Sequence, residues 1–348
     1  MLLLQDIHLP QLLEKLERDL PYSLSVRNCG RFEFTVPNVK VSLDHRETGR
    51  FRLLLFLLLF LLLFLLLFLL LFLGTVYSLV RENVKKRFAW PGVSFVVDKF
   101  PGLFVCVART FGTEKAEITP FIIDAGVLIY SKSPDKLKAL LEDPQCLDWT
   151  RSMYFRSVQW PLDFTAVVKK CGSMGGVIHY FDTHLCIFFD LGKITSKRAL
   201  PDGFSIGELN PQHAQQLIQD KDYRCPELNL LYYRYVLEHY PSAAIFRHGS
   251  STAVAYICYQ PEGCLGMGHV EPEHRRKGLF QVACYELLRK LTNMGDKHTW
   301  THVPADNLPS LRAFLGIGGV VIEGYKVEFM DYIPRNWSTE KCISRFHQ

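Results

Sequence analysis

The stretch Gly263–Leu291 constrains the fold most, because three kinds of backbone follow one another within it. Gly263–Val270 is short, apolar and glycine-rich, the pattern of a strand that a ligand approaches closely. Glu271–Gly278 is a turn that carries Arg275, Arg276 and Lys277 directly before a glycine. From Leu279 the period becomes helical: Ala283, Leu287 and Leu291 line one face, Phe280, Cys284 and Leu288 lie beside them, and Gly295 closes the run. A helix start with free N–H groups, a flanking glycine and three cations is a candidate phosphate site.

The rest of the chain reads as α/β around this unit. Leu3–Leu20 is an expected amphipathic helix stopped by Pro21, followed by short strands at Ser23–Val26 and Arg31–Val36. Strands are expected at Val93–Val97, Leu103–Val107 and Phe121–Tyr130, then a helix over Pro134–Leu141 opened by Ser133. Leu162–Cys171 reads as helix and Ile178–Phe189 as strand. The polar, Pro/Gly-containing Lys193–Gly203 reads as a linker. Beyond it come helices near Pro211–Asp220 and Cys225–Tyr240 and strands at Ser242–Phe246 and Thr252–Tyr259. After the central unit follow a strand at His298–Val303, a helix at Leu308–Leu315 and strands at Val320–Ile322 and Tyr325–Tyr332. The expected organisation is two domains, residues 1–200 and 201–348, since 348 residues suffice for two cores.

A net charge of +5 without a basic face-sized run excludes a nucleic-acid binder. Ten cysteines contain no Cys-x-x-Cys pair and no His/Cys group has zinc spacing, so no metal site is expected and the thiols read as buried and reduced. The first twenty residues carry no signal-peptide or Arg-rich transit pattern.

One segment departs from this α/β pattern. Leu53–Leu73 is twenty-one residues of leucine and phenylalanine, with Phe at 56, 60, 64, 68 and 72. As a helix it would be about 30 Å long, the thickness of a bilayer core. Arg50 and Arg52 precede it; Arg81, Lys85, Lys86 and Arg87 follow it, a count that favours the C-terminal flank on the cytosolic or matrix-like side. Two readings stand: a single-pass anchor, or a low-complexity insertion at about 41–90 that interrupts the first domain. The strict four-residue repeat favours the insertion.

Arg275-x-x-Gly278-x resembles the pyrophosphate loop, Arg/Gln-x-x-Gly-x-Gly/Ala, of the GNAT acyltransferase superfamily. Pro272-Glu273-His274-Arg275 after the strand, and Ile333-Pro334-Arg335-Asn336-Trp337 near the end, resemble the glycine N-acyltransferase family. So do Leu20–Leu24, Val97–Pro101 and Ile129–Pro134 in the first half, in the same order. The resemblance covers most of the chain except about 28–91. It implies a GNAT fold in the C-terminal half and an N-terminal α/β domain of diverged similar topology. It further implies transfer of an acyl group from acyl-CoA, a co-substrate and not a resident cofactor, to glycine or a similar small amino acid such as glutamine. A mitochondrial location is likewise implied.

Carried residue by residue, the resemblance assigns the acyl-CoA contacts to Val270, Arg275, Arg276, Lys277, Gly278, Leu279 and Phe280. Asn307 and Ser310 match an Asn-x-x-Ser that touches the CoA arm, although Asn307 serves equally as a helix cap. The expected glutamate base is replaced by Cys264, a thiol and a poor proton acceptor. Glu262 lies two residues earlier, about 7 Å along the same strand face. His269 and Glu271 are the other candidates, His269 titrating in a useful range. Phe314 stands where many GNAT enzymes carry a tyrosine, and Phe280 stands at a position usually small. Two alternatives therefore stay open: an acyl-CoA-binding protein without turnover, tethered to a membrane if the apolar run is an anchor, and an N-acyltransferase with another amine acceptor.

Overall fold

In the computed structural model the described residues are 2–5, 8–19, 74–85, 87, 92–100, 102–110, 125–180, 183–195, 198–220 and 226–335. The Leu53–Leu73 run, residues 121–124 and the strands expected at Ser23–Val26 and Arg31–Val36 lie outside them. Among the described residues no helix is long and apolar enough to cross a membrane.

The first half contributes β1 (Leu2–Leu4), α1 (Leu9–Asp19), α2 (Gly74–Lys85), β2 (Val93–Val97), β3 (Val105–Thr110), β4 (Ala125–Ser131), α3 (Pro134–Glu142), β5 (Met153–Trp160), α4 (Leu162–Ser173), β6 (Val177–Tyr180) and β7 (His184–Asp190). The second contributes β8 (Phe204–Gly207), α5 (Ala214–Gln219), α6 (Pro226–His239), β9 (Ser242–Arg247), β10 (Ala253–Tyr259), β11 (Cys264–Val270), α7 (Leu279–Asn293), β12 (His298–Pro304), α8 (Leu308–Leu315) and β13 (Val320–Ile333). All the strands join one sheet in the order β1-β2-β3-β4-β5-β13-β7-β12-β11-β10-β9-β8, with β6 beside β13.

The two halves repeat one plan. Strands β1 to β4 pair antiparallel in succession and β4 then pairs parallel with β5. Strands β8 to β11 and β12 do the same. The halves then exchange their last strands. β7, from the first half, lies antiparallel between β12 and the start of β13. The end of β13, from the second half, lies between β5 and β6. The boundary expected near residue 200 thus falls between β7 and β8 in the chain, while the ladders run across it.

Local sequence explains most elements. β10, Ala253–Tyr259, is buried at every residue and reads as an unbroken apolar run, as a central strand covered on both faces should. α3 opens at Ser133, whose Oγ accepts from Lys136 N, with Pro134 in the first turn. Where Leu3–Leu20 was expected to be one helix, Leu2–Leu4 is instead a strand. Its register against Val97–Phe95 buries Leu4, and the helix begins at Leu9. The expected Ile178–Phe189 strand is two, β6 and β7, and the two closing strands are one, β13. β5, β8 and α2 had no counterpart in the sequence reading.

α2 follows the apolar run and is built into the second half. Arg81 pairs with Glu82 at 2.7 Å, Arg87 pairs with Glu82 at 2.8 Å and with Asp296 at 2.9 Å, and Arg81 donates to Tyr259 Oη. These two arginines, counted above as flanking cations, are therefore neutralised inside the protein. Among the described residues the seven cysteines are buried and unbridged.

Asp163 sits at the start of α4 and is 2% exposed. Burial raises its carboxyl to about 7, against a hydrogen bond from Ser131 that lowers it. In an unfolded chain the group titrates near ~3.9. Between those values the folded chain binds more protons, so stability is greatest below the unfolded value and declines as pH rises toward 7. Asp163→Asn should accordingly stabilise the protein by a few kcal/mol at about pH 8, at about 1.4 kcal/mol per pKa unit, and far less at about pH 4.5. Urea midpoints at the two pH values measure this; an equal gain at both would exclude a titrating Asp163.

Candidate functional site

β11 and β12 run parallel through only two register pairs, Cys264↔Trp300 and Leu265↔Thr301. Past them β11 continues to Val270 paired with β10, and β12 continues to Pro304 paired with β7. The strands therefore fork after Leu265 and Thr301. The fork coincides with a bulge: Met267 and Gly268 of β11 face the single residue Ile257 of β10, and Met267 takes a left-handed φ of 57°. Gly268 leaves room there for the Phe280 ring, which a Cβ would meet at 2.7 Å.

The open stretch of β11 leads into the basic turn. A 3-10 turn over Pro272–His274 is followed by Arg275 in extended backbone, Arg276 at φ 62° and Gly278 at φ 80°. α7 starts at Leu279 with Gly278 as its N-cap and no side chain capping it, so its first N–H groups point out of the turn. Arg275, Arg276 and Lys277 are exposed. Arg275 Nε donates to Val270 O at 3.2 Å, which closes the turn, and Lys277 Nζ donates to His274 Nδ1 at 3.2 Å. A fourth cation, which the sequence did not signal, completes the surround. The Arg198 side chain lies against Gly278, its Cδ 3.1 Å and Nε 3.4 Å from where a Cβ would stand. Leu279 is buried and anchors the helix start.

The candidate bases separate into two places. Cys264 and Glu262 lie below the fork. Burial pushes the Cys264 thiol up to about 12, against the pull of Arg156, and its Sγ donates to Gln260 Oε1 at 3.6 Å, so it stays a thiol at neutral pH. Glu262, in the β10–β11 turn, is buried and ion-paired with Arg156 of β5. A bulge at Arg156–Ser157, opposite Phe329, turns that arginine toward the other half.

His269 and Glu271 lie beyond the fork. His269 stacks on Tyr256, its cross-strand partner, with ring centroids 5.5 Å apart. Its Nε2 is 4.0 Å from Asp220 Oδ2, and Tyr256 Oη donates to the same oxygen at 3.0 Å. Asp220, His269 and Glu271 bring their ligand atoms within 4.8 Å of one another. Neither Asp220 nor Tyr256 figured in the sequence reading. On the other wall of the fork, burial and His184 lower His302 to about 3, so it is a neutral imidazole, 3.3 Å from Ser157 Oγ.

The remaining residues singled out in the sequence lie at α8. Asn307 caps α8, accepting from Ser310 N at 3.2 Å. Phe314 is buried and meets Phe280 and Phe189 edge-on at 5.4 and 5.9 Å, so the aromatic pair fills the space between α7 and α8 and offers no hydroxyl.

Residues 243–327 match the family model of FR47-like proteins. That match spans the fork, the turn and α7. Among solved structures, one from Drosophila is similar over nearly the whole length: 17% identity, 96% of this chain and 99% of that one covered, TM-score 0.67. A GCN5-related N-acetyltransferase from Kribbella flavida aligns at 11% identity over 77% of this chain and 95% of its own, TM-score 0.47. A tandem GNAT protein from the clavulanic acid biosynthesis pathway aligns at 13% identity over 74% and 87%, TM-score 0.44. A comparison with curated proteins finds no match.

Gly278 makes a direct test of the turn. A left-handed residue other than glycine costs roughly 1–2 kcal/mol, and Asn tolerates the conformation better. Gly278→Ala should lower the melting temperature measurably and Gly278→Asn by less; equal melting of all three proteins would mean that the turn does not hold this geometry.

Proposed function

We propose that the protein transfers an acyl group from acyl-CoA to the amino nitrogen of glycine or a similar small amino acid, giving an N-acyl amino acid and free CoA. The fork between β11 and β12, ending at the glycine-capped start of α7, carries this reading. Main-chain groups on the open edge of β11 suit an extended, amide-bearing arm laid beside them like an added strand, which is the shape and chemistry of pantetheine. At the end of that edge the N–H groups of α7 and the surrounding cations suit a pyrophosphate. The FR47-like match over this region supports acyl transfer, and the motif resemblance to glycine N-acyltransferases supports the acceptor.

The reaction needs the acceptor ammonium to lose a proton, the free amine to attack the thioester carbon, and the tetrahedral oxyanion to collapse with loss of the CoA thiolate. The bulge at Met267–Gly268 releases main-chain groups from the ladder where the oxyanion would form. His269 is the group best placed to take the proton. It borders the open stretch, and Asp220 beside Nε2 orients the ring and stabilises the imidazolium. The same imidazolium then returns the proton to the departing thiolate, which balances the step in the absence of a hydroxyl at Phe314. Glu262 is less suited, because its carboxylate is buried below the fork and already ion-paired with the Arg156 guanidinium.

Free CoA release from benzoyl-CoA, with a panel of amino acids as acceptors, tests the proposal. His269→Gln should lower kcat about 100-fold while leaving the KM for acyl-CoA nearly unchanged, and the loss should shrink at high pH, where more acceptor is already a free amine. Glu262→Gln should cost stability more than kcat, since it strands a buried guanidinium. Turnover abolished by Glu262→Gln and spared by His269→Gln would assign the base to Glu262. Tight acyl-CoA binding without turnover for any acceptor would favour the non-catalytic alternative that Cys264 and Phe314 suggest.

A further inference from the structure

We propose that Arg198, in the connection between the two halves, binds the pyrophosphate of acyl-CoA. This rests on the acyl-CoA reading above. The segment was expected to be a plain linker, yet it is fixed at both ends against the second half. Thr195 N donates to Ile317 O at 3.2 Å, and Lys193 O lies so close to Gly318 that a Cβ there would be 3.2 Å away. Ile194 and Leu200, on either side of Arg198, pack against the core that contains Leu279 and Val282 of α7. At the far end Phe204 meets the His274 ring edge-on at 5.6 Å, and His274 is buried within the turn.

Between these anchors Arg198 crosses Gly278. Its Nε stands 3.4 Å from the point a Cβ would occupy at the N-cap of α7, so the guanidinium sits at the mouth of the helix start. A pyrophosphate on those N–H groups would meet the guanidinium fork, whose paired donors match two phosphate oxygens. Arg275 and Lys277 have local bonds within the turn. Arg198 reaches the same helix start from outside the turn. The glycine at 278 therefore has a second role besides its backbone angle: any side chain there would press on Arg198.

Titration calorimetry on the full-length protein with CoA and with 3′-dephospho-CoA separates the phosphates, since both carry the pyrophosphate and only one the 3′-phosphate. Arg198→Ala should weaken both ligands about 10-fold, the lower range for a charge-assisted contact at an exposed site, with an unchanged melting temperature. Arg198→Lys should restore part of the loss, and the salt dependence of binding should flatten in Arg198→Ala. Wild-type binding retained in Arg198→Ala would overturn the proposal and leave the acyl-CoA reading intact. A loss confined to CoA would overturn the pyrophosphate assignment. Wild-type protein that binds neither ligand would overturn both readings.

Discussion

The exchange of final strands fixes everything that the site depends on. A strand has two edges, and β12 gives one of them to β7 along its whole length, from His298↔Asp190 to Pro304↔His184. That ladder holds β12 on its own course past Thr301, while β10 holds β11 on another course through the bulge at Met267–Gly268. The fork is the result of two strands each committed to a different neighbour. Because β7 belongs to the first half, the opening in the second half exists only when both halves are folded together. The ion pair of Arg156 with Glu262 and the network of Arg81, Glu82, Arg87 and Asp296 tie the same two halves at other points. A break in any of these would strand a buried charge, which costs more than the pair itself contributes.

The parts of this arrangement legible in the sequence were those with local causes. The helix α7, its glycine start and the cations before it follow from periodicity and turn chemistry within some thirty residues. β10 and β11 follow from unbroken apolar character. The fork was not legible from the residues themselves, because it depends on which strand lies beyond β12, and β7 is a hundred residues away in the chain. β5 escaped notice for a related reason. Its outward positions carry Arg156, Ser157 and Gln159, polar residues that a solvent-facing segment would also carry. Ser157 and Gln159 are buried, and Arg156 and Ser157 meet Glu262 and His302 of the other half. Arg198 left no signal, since a single arginine in a polar connector looks like any solvated cation.

The base illustrates how burial decides between residues that look equivalent on paper. Cys264 and Glu262 were candidates by their spacing on one strand face, but both lie where β11 is still paired or turning, and each is already engaged. Desolvation keeps the thiol protonated, and the carboxylate is held in a buried ion pair with Arg156. His269 differs because its strand edge is open and its partner is a carboxylate that is itself held by Tyr256. A proton acceptor has to be near the reacting atoms, and of the four candidates only His269 and Glu271 lie beyond the fork.

The repeat in the first half shows what the second half needs in addition to its strands. β4 and β5 also run parallel and part after Leu128 and Arg156, and Ser157 beyond them takes a left-handed φ of 55°, as Met267 does beyond the other fork. Yet β4 passes into α3 through Lys132 and Ser133 alone. Neither residue is left-handed, and Ser133 turns its own Oγ onto the N–H of Lys136. Lys136, in the first turn, is drawn away to Asp98 at 3.7 Å and over the Phe104 ring. The helix start left without a side-chain cap in the second half is closed here by a side chain, and no glycine stands between β4 and α3. A fork without an open helix start can accept an extended arm but not the phosphates at its end. Among the described residues the first half therefore shows no second open helix start, and it contributes β7 to the fork of its neighbour.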